Sequence, residues 1–566
     1  MNLVRDLQDC YARLKQGDVM AAETRWHQIM TQYGENGDVL HLGALIAGQA
    51  GQDHMALLRI DGALKANPTH HEYLNTRGNI CRRLQDIPQA EKSWRASLAL
   101  RPDYLVAWQN LGSCLIENQN PEAALDVYEQ GLKHFPSDEL LQIGRVVALK
   151  DLMRNEEALV ALKAMPTADK YAYVHGQILF QMHRFDAATR KSEAALTDRA
   201  NVGSAIQNLC QIMWVTGHWD EMHSRLDAYF TRAGHDEAAY VSVIRLLAKA
   251  GRLEEAEQIA TNASRRLGEK PYLVGARARV CISNGDMERA WALAQQALSG
   301  APGDLGLMAD FADAALGTGR AEQALQASEA ALQKLPNNQF WLAVKMTALR
   351  AMGQEDVFPA EVERFVVPFE LEPPAGFASL SAYNRALRDA LDELHDLKEH
   401  PLDQSLRNGT QTIPDLRFVN HPLLKAHFQA LDKPIRAYMR RIGHDKNHPL
   451  LRRNTGEYLI TGAWSVKLRQ AGFHVSHVHP QGWISSAYYV DVPDEVEDEV
   501  NKPGWIHFGK PPYPVRDKDG RALGWQKIIK PKAGTLVLFP SYMWHGTNPI
   551  RKSATRMTLP IDVVPR

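Results

Sequence analysis

Three histidines and one arginine near the C-terminal end carry the chemistry that this sequence can do. The densest stretch is Phe473-His474-Val475-Ser476-His477-Val478-His479-Pro480. In an extended strand successive side chains alternate faces, so His477 and His479 point one way and His474 the other. Pro480 ends the pairing. Two imidazoles on one face at the mouth of a strand can chelate one metal ion. A third histidine, His545, follows a strongly apolar run in Phe539-Pro540-Ser541-Tyr542-Met543-Trp544-His545-Gly546, and Arg556 comes eleven residues later, followed by Met557 and Thr558. Taken singly, His477 and His479 read as surface histidines of an edge strand, and Arg556 as an exposed ion-pair residue worth little. The combination, in this order, points to metal binding.

The elements that must hold these residues read as β-structure. Short runs rich in Val, Ile, Tyr and Trp, separated by Gly and Pro clusters, occur at Trp464–Leu468, Trp483–Val490, Gly534–Phe539 and Thr555–Val563. That pattern suits a double-layered jelly roll. A helix is expected before it, from about Ser379 to Lys398, with Leu387, Leu391 and Leu394 spaced three and four apart. Between residues 351 and 376, Pro359, Pro368, Pro373 and Pro374 interrupt the text, and Phe365, Val366, Val367 and Phe369 look extended. Prolines at that density mark a boundary, read here as a linker.

The stretch resembles the Fe(II)- and 2-oxoglutarate-dependent oxygenases. Those enzymes carry a His-x-Asp/Glu pair on one jelly-roll strand, a distal His tens of residues on, and a basic residue about ten beyond it. His477-x-His479, His545 and Arg556 follow that order, and Ser485-Ser486-Ala487-Tyr488-Tyr489-Val490 and Gly534-Thr535-Leu536-Val537-Leu538-Phe539-Pro540-Ser541 look like the strands around such a site. Gln404-Ser405-Leu406-Arg407-Asn408-Gly409-Thr410-Gln411-Thr412, taken with His477-Val478-His479-Pro480, is similar to a bacterial subgroup often fused to tetratricopeptide repeats. The resemblance implies Fe(II) and 2-oxoglutarate as cofactors and His477, His479 and His545 as metal ligands. It also implies that Arg556 grips the distal carboxylate of 2-oxoglutarate in a bidentate fork, with Thr558 and Tyr488 adding hydroxyl hydrogen bonds. One departure stands out. The family's facial triad needs a carboxylate two residues after the first His, and here that residue is His479. Either the site has three histidines, or it has two with water or a distant carboxylate such as Asp491. Arg407 could reach the mouth of the site or merely brace a loop.

The N-terminal three-fifths is a repeat. Ala22, Ala56, Ala90, Ala124 and Ala158 are each 34 residues apart. After a four-residue contraction the series resumes at Ala188, Met222, Ala256, Ala290 and Ala324, and Gly217, Gly251, Gly285 and Gly319 keep the same step. This period, and the copy Trp108, Leu111, Gly112, Ala124, Tyr128, Pro136, are those of the tetratricopeptide (TPR) helix-turn-helix unit. Counting the anchors gives about ten repeats. The expected fold is therefore multidomain: a helical TPR solenoid over residues 1–350, a linker over 351–376, and an oxygenase-like double-stranded β-helix (jelly roll) with flanking helices over 377–566.

Composition narrows the function classes. The net charge of -1 gives no global pull toward nucleic acid or anionic membrane. No apolar run approaches the ~18 residues of a spanning helix, and the N-terminus has no apolar signal segment. Cys10, Cys81, Cys114, Cys210 and Cys281 are odd in number and form no CxxC pair, which reads as buried free thiols in a reducing, cytoplasmic setting. The expected activity is hydroxylation of a side chain on a protein or peptide held by the concave face of the array, since such faces bind extended chains. Two other readings stay open: a non-catalytic scaffold with a degenerate jelly roll, and an oxygenase acting on a small-molecule or carrier-bound substrate. Nucleic-acid and membrane partners are not expected, and the oligomeric state is left open.

Overall fold

The computed structural model describes residues 2–197, 201–232, 236–356, 361–552 and 554–566. The chain divides into two units, Met1–Pro166 and Thr167–Arg566. Among the described residues, antiparallel helices run in ten pairs from Leu3–Lys15 onward and close with a last helix, Gln339–Ala351. Helices begin where an Asp or Asn side chain takes a backbone N–H, as Asp18 does for Ala21, Asn120 for Ala123 and Asp304 for Leu307. They pack closely because the anchor positions are small: Ala22, Ala56, Ala90, Ala124, Ala158, Ala188, Ala256, Ala290 and Ala324 are fully buried. In the best-matching repeat Gly112 is required, since a Cβ there would lie 2.4 Å from the Tyr128 ring.

The period appears in the backbone more completely than in the residue types. The turn between the two helices of each pair has a positive φ at Gly17, Gly51, Gln85, Gln119, Met153, His183, Gly217, Gly251, Gly285 and Gly319, and again at Gly353 after the last helix. All steps are 34 residues except Met153 to His183, which is 30. The unit boundary at Pro166 falls inside that contraction, where the helices Asn155–Lys163 and Ala172–Gln181 have only 9 and 10 residues. All five cysteines are free and buried.

Among the described residues, the C-terminal part of the second unit is built on eleven strands. They are β1 (Val367–Glu370), β2 (Leu406–Gln411), β3 (Tyr458–Ala463), β4 (Val466–His474), β5 (Ile484–Asp491), β6 (Ile506–Phe508), β7 (Lys527–Ile529), β8 (Thr535–Pro540), β9 (His545–Thr547), β10 (Arg556–Thr558) and β11 (Ile561–Pro565). The larger sheet runs β1-β8-β5-β10-β4-β2, with β11 joining β3 to β5; the smaller runs β7-β6-β9. Recorded pairings are antiparallel, as a jelly roll requires. Alternation along β5 and β8 sorts the two faces. Tyr488, Leu536 and Leu538 pack with Tyr383, Leu387 and Tyr438 of helices Leu380–Asp392 and Pro422–Ile442. Ala487, Tyr489, Val537 and Phe539 face the smaller sheet, against Ile506 and Phe508.

Several expectations need correction. The helix read from Ser379 to Lys398 stops at Asp392, with Ser379 as its N-cap. The 21-residue helix Pro422–Ile442 lies in text read as β, although Leu424, Leu431, Ile435, Tyr438 and Ile442 carry a helical spacing. Part of the segment read as a linker is β1, the edge strand beside β8, with Val366 and Val367 buried. Pro359 lies outside the described residues. The run Thr555–Val563 is two strands, broken at Leu559-Pro560 because Pro560 has no N–H to donate.

Within the second unit the repeats and the jelly roll share one core. Leu342, Met346 and Leu349 of the last repeat helix cluster with Tyr383, Leu431, Trp483 and Trp544. Hydrogen bonds to the C-terminal part come from first helices of repeats or the turns beside them. Trp214 Nε1 donates to the His400 carbonyl at 2.7 Å, and Arg407 donates to the Lys249 carbonyl. The Tyr513 hydroxyl donates to Asp313 at 2.6 Å, the Gln339 N–H to the Pro480 carbonyl at 2.9 Å, and Trp544 Nε1 to Thr347 at 3.0 Å.

Candidate metal centre

Strand β4 pairs with β2 as far as His474 opposite Leu406. Beyond that point the chain leaves β2 and crosses to β9. His477 and His545 exchange both backbone hydrogen bonds, at 2.9 and 3.0 Å, as an isolated bridge. Gly546 permits the crossing, since a Cβ there would lie 2.9 Å from the His474 carbonyl. The His479 N–H then donates to the Ser541 carbonyl at 3.1 Å. Strict alternation therefore ends at His474, and the expectation that His474 points away from the other two fails. Its ring lies 6.0 Å from that of His477, and the Ser405 hydroxyl sits between them, 3.0 Å from His474 Nδ1 and 3.3 Å from His477 Nε2.

His477, His479 and His545 come together, their candidate donor atoms all within 4.8 Å of one another. Each ring is held at Nδ1. His477 Nδ1 lies 2.8 Å from the Val475 carbonyl, His545 Nδ1 3.0 Å from the Met543 carbonyl, and His479 Nδ1 2.6 Å from Asp562 Oδ2. An oxygen acceptor at Nδ1 assigns a proton to that nitrogen, which leaves Nε2 as the nitrogen that can ligate. Burial first, then the neighbouring histidine, pushes the pKa of His477 down to about 3 and that of His545 well down. Both are therefore neutral and able to ligate at neutral pH. Nε2 of His477 and Nε2 of His479 face each other at 3.3 Å. Two lone pairs at that distance repel unless a proton or cation lies between them. The donor set thus fits a divalent transition metal, for which imidazole nitrogen is a standard ligand.

Arg556 is 2% exposed. Its guanidinium carbon lies 4.9 Å from the centre of the Tyr489 ring, and its Nε has no hydrogen-bond partner. Among the described residues no carboxylate forms an ion pair with it. A buried cation with no opposite charge beside it is costly by several kcal/mol, roughly, and suits an anion. Thr558, two residues along β10, shares the Arg556 face, while Met557 packs into the core on the other side.

Two expected residues are not brought to the group. The Tyr488 hydroxyl donates to Asn384 at 2.6 Å and its ring lies 4.6 Å from His427, on the helix-covered face. Its neighbour Tyr489 is the tyrosine on the inner face. Asp491 lies 3.9 Å from Arg388 and is outside the histidine cluster. Arg407 braces its loop through the carbonyls of Gln404 and Leu406. The carboxylate that does reach the cluster is Asp562, which sequence reasoning missed. A lone Asp inside Leu559-Pro560-Ile561-Asp562-Val563-Val564 was its signal, since an acid in an apolar strand needs a partner.

Residues 462–562 match the family model described as putative 2OG-Fe(II) oxygenase, and residues 105–137 match that of the tetratricopeptide repeat. No curated protein sequence matches the chain. Among solved structures, a tetratricopeptide repeat protein from Parabacteroides merdae is 13% identical with a TM-score of 0.32, over 55% of this chain and 98% of that one. The MamA protein is 14% identical with a TM-score of 0.26, over 35% and 94%. Pseudomonas aeruginosa pilF is 13% identical with a TM-score of 0.30, over 39% and 97%. No described helix is long and apolar enough to cross a membrane.

Proposed function

We propose that the chain is an Fe(II)- and 2-oxoglutarate-dependent dioxygenase that hydroxylates a side chain of a protein or peptide held by the repeat array. The observation that carries this reading is the convergence of donor atoms from His477, His479 and His545, with the buried Arg556 on β10, the strand paired with β4. His477, His479 and His545 would hold the metal. When bound, Fe(II) with 2-oxoglutarate and dioxygen supplies the oxidation that converts a C–H bond to C–OH and releases succinate and carbon dioxide. The protein's own part is positional. Arg556, steadied over Tyr489, would take the distal carboxylate of 2-oxoglutarate through its planar fork, with the Thr558 hydroxyl beside it. Phe508, Phe539 and Met543 form an apolar wall that keeps water from His545.

Two contacts favour presentation by the repeats. The Gln339 N–H bonds the carbonyl of Pro480, one residue past His479, and Arg407 ties β2, the strand paired with β4, to the carbonyl of Lys249. Repeat helices of the second unit thus border the segment that carries His479. In this reading the concave face of the repeats holds the peptide. The test is succinate release from the purified protein with Fe(II), 2-oxoglutarate and oxygen. Succinate above the His545→Ala background is expected; its absence, with candidate protein substrates present, sinks the enzyme reading.

A further inference from the structure

His479 is the ligand candidate standing where the resembling enzymes have a carboxylate, and it is the one histidine of the three whose Nδ1 meets a charged group. Asp562 Oδ2 lies 2.6 Å from that nitrogen. Its other oxygen, Oδ1, accepts from the Ser485 hydroxyl at 2.7 Å, and Ser485 in turn is 2.8 Å from the Ser541 hydroxyl. Asp562 and Ser485 are direct cross-strand partners on β11 and β5, so the sheet register itself aims the carboxylate. Ser541 also accepts the His479 N–H at its carbonyl. The carboxylate, the hydroxyl pair and the histidine backbone therefore form one closed hydrogen-bonded frame around a single ring. Ser485 and Ser541 are 1% and 0% exposed.

We propose that Asp562 is the positioning carboxylate of the metal centre, fixing the plane and tautomer of His479 from outside the ligand set. The proposal rests on the three-histidine reading above. Three neutral imidazoles supply no negative charge to a divalent cation. A carboxylate hydrogen-bonded behind one of them raises that ring's basicity and restores charge at one remove. Among the described residues Asp562 is the sole carboxylate hydrogen-bonded to any of the three. Removing such an outer partner weakens metal affinity by about 10- to 100-fold.

The test uses the full-length protein and Co(II) as a spectroscopic probe, titrated into wild type, Asp562→Asn, Ser485→Ala and His545→Ala, with apo-protein thermal unfolding as the folding control. Asp562→Asn keeps the shape and removes the charge. It is expected to lower Co(II) affinity about 10- to 100-fold and to shift the visible bands as the His479 ring reorients, with the apo melting temperature unchanged. Ser485→Ala, which frees Oδ1 and the Ser541 hydroxyl but leaves the bond from Oδ2 to His479, is expected to lose affinity several-fold. If His545→Ala abolishes binding while Asp562→Asn keeps the wild-type affinity and spectrum, the role of Asp562 is overturned and the metal site stands. If wild type binds no Co(II), or His545→Ala binds it like wild type, the metal reading itself fails. Should Asp562→Asn not fold, a wild-type affinity and spectrum in Ser485→Ala overturns the proposal instead.

Discussion

The hydroxyl of Tyr513 donates a 2.6 Å hydrogen bond to the buried carboxylate of Asp313, joining a loop of the jelly roll to a repeat helix. Asp313 and Asp310 are 2% and 1% exposed, and Arg279 binds both, at 2.8 and 2.7 Å. Tyr513→Phe removes one hydrogen bond to a buried carboxyl whose pKa burial pushes up. A loss of about 1 kcal/mol or more is expected, read as a lower urea midpoint for the transition of the second unit. An unchanged midpoint would show that the contact carries no stability.

The shared core makes a second prediction about where the chain can be cut. Leu342, Met346 and Leu349 fill the core that also holds Trp483 and Trp544. A fragment of residues 352–566 exposes that surface and is expected to be aggregated or molten, with dye binding and no sharp near-ultraviolet spectrum. A fragment of residues 167–566 begins at the unit boundary and is expected to fold and bind metal. A cooperative melt in the shorter fragment would contradict the shared core.

Arg556 and its neighbours separate cofactor binding from metal binding. Arg556→Lys keeps the charge but loses the fork, and is expected to raise the 2-oxoglutarate KM by at least about tenfold while Co(II) affinity holds. Thr558→Val is expected to raise that KM several-fold. Tyr488→Phe is expected to leave it unchanged and to cost about 1 kcal/mol of stability, through the lost bond to Asn384. Equal effects of Tyr488→Phe and Thr558→Val on KM would contradict the placement of the two faces.

His427 supplies a pH prediction away from the metal centre. It is fully buried between Tyr383 and Tyr488, neither ring nitrogen has a hydrogen-bond partner, and burial pushes its pKa down to about 3. The unfolded chain takes up the proton near pH 6.5 and the folded protein does so only near 3. Stability is therefore full above about pH 6.5 and falls as pH drops toward 3, by about 1.4 kcal/mol per pH unit from this group. His427→Leu is expected to flatten that acid slope in denaturation measured between pH 7 and 4.5. An unchanged slope would remove His427 as a cause.

The sequence by itself determined the repeats, because a 34-residue step of small residues needs only local close packing to be visible. It also supplied the order His477, His479, His545, Arg556, since a motif on short strands survives as spacing along the chain. The face of each tyrosine was less legible: Tyr488 and Tyr489 are adjacent, and a one-residue shift in a strand buried on both faces reverses the two faces without an exposed side to mark it. Helix Pro422–Ile442 was hidden inside a region read as β from its short apolar runs elsewhere, although its own apolar spacing was helical. Only the tertiary structure decided what backs His479. Asp562 lies 83 residues further on, and β11 meets β5 through long-range sheet pairing that no local propensity encodes. The same holds for the union of array and jelly roll, since burial of the last repeat helix is a property of two distant surfaces meeting.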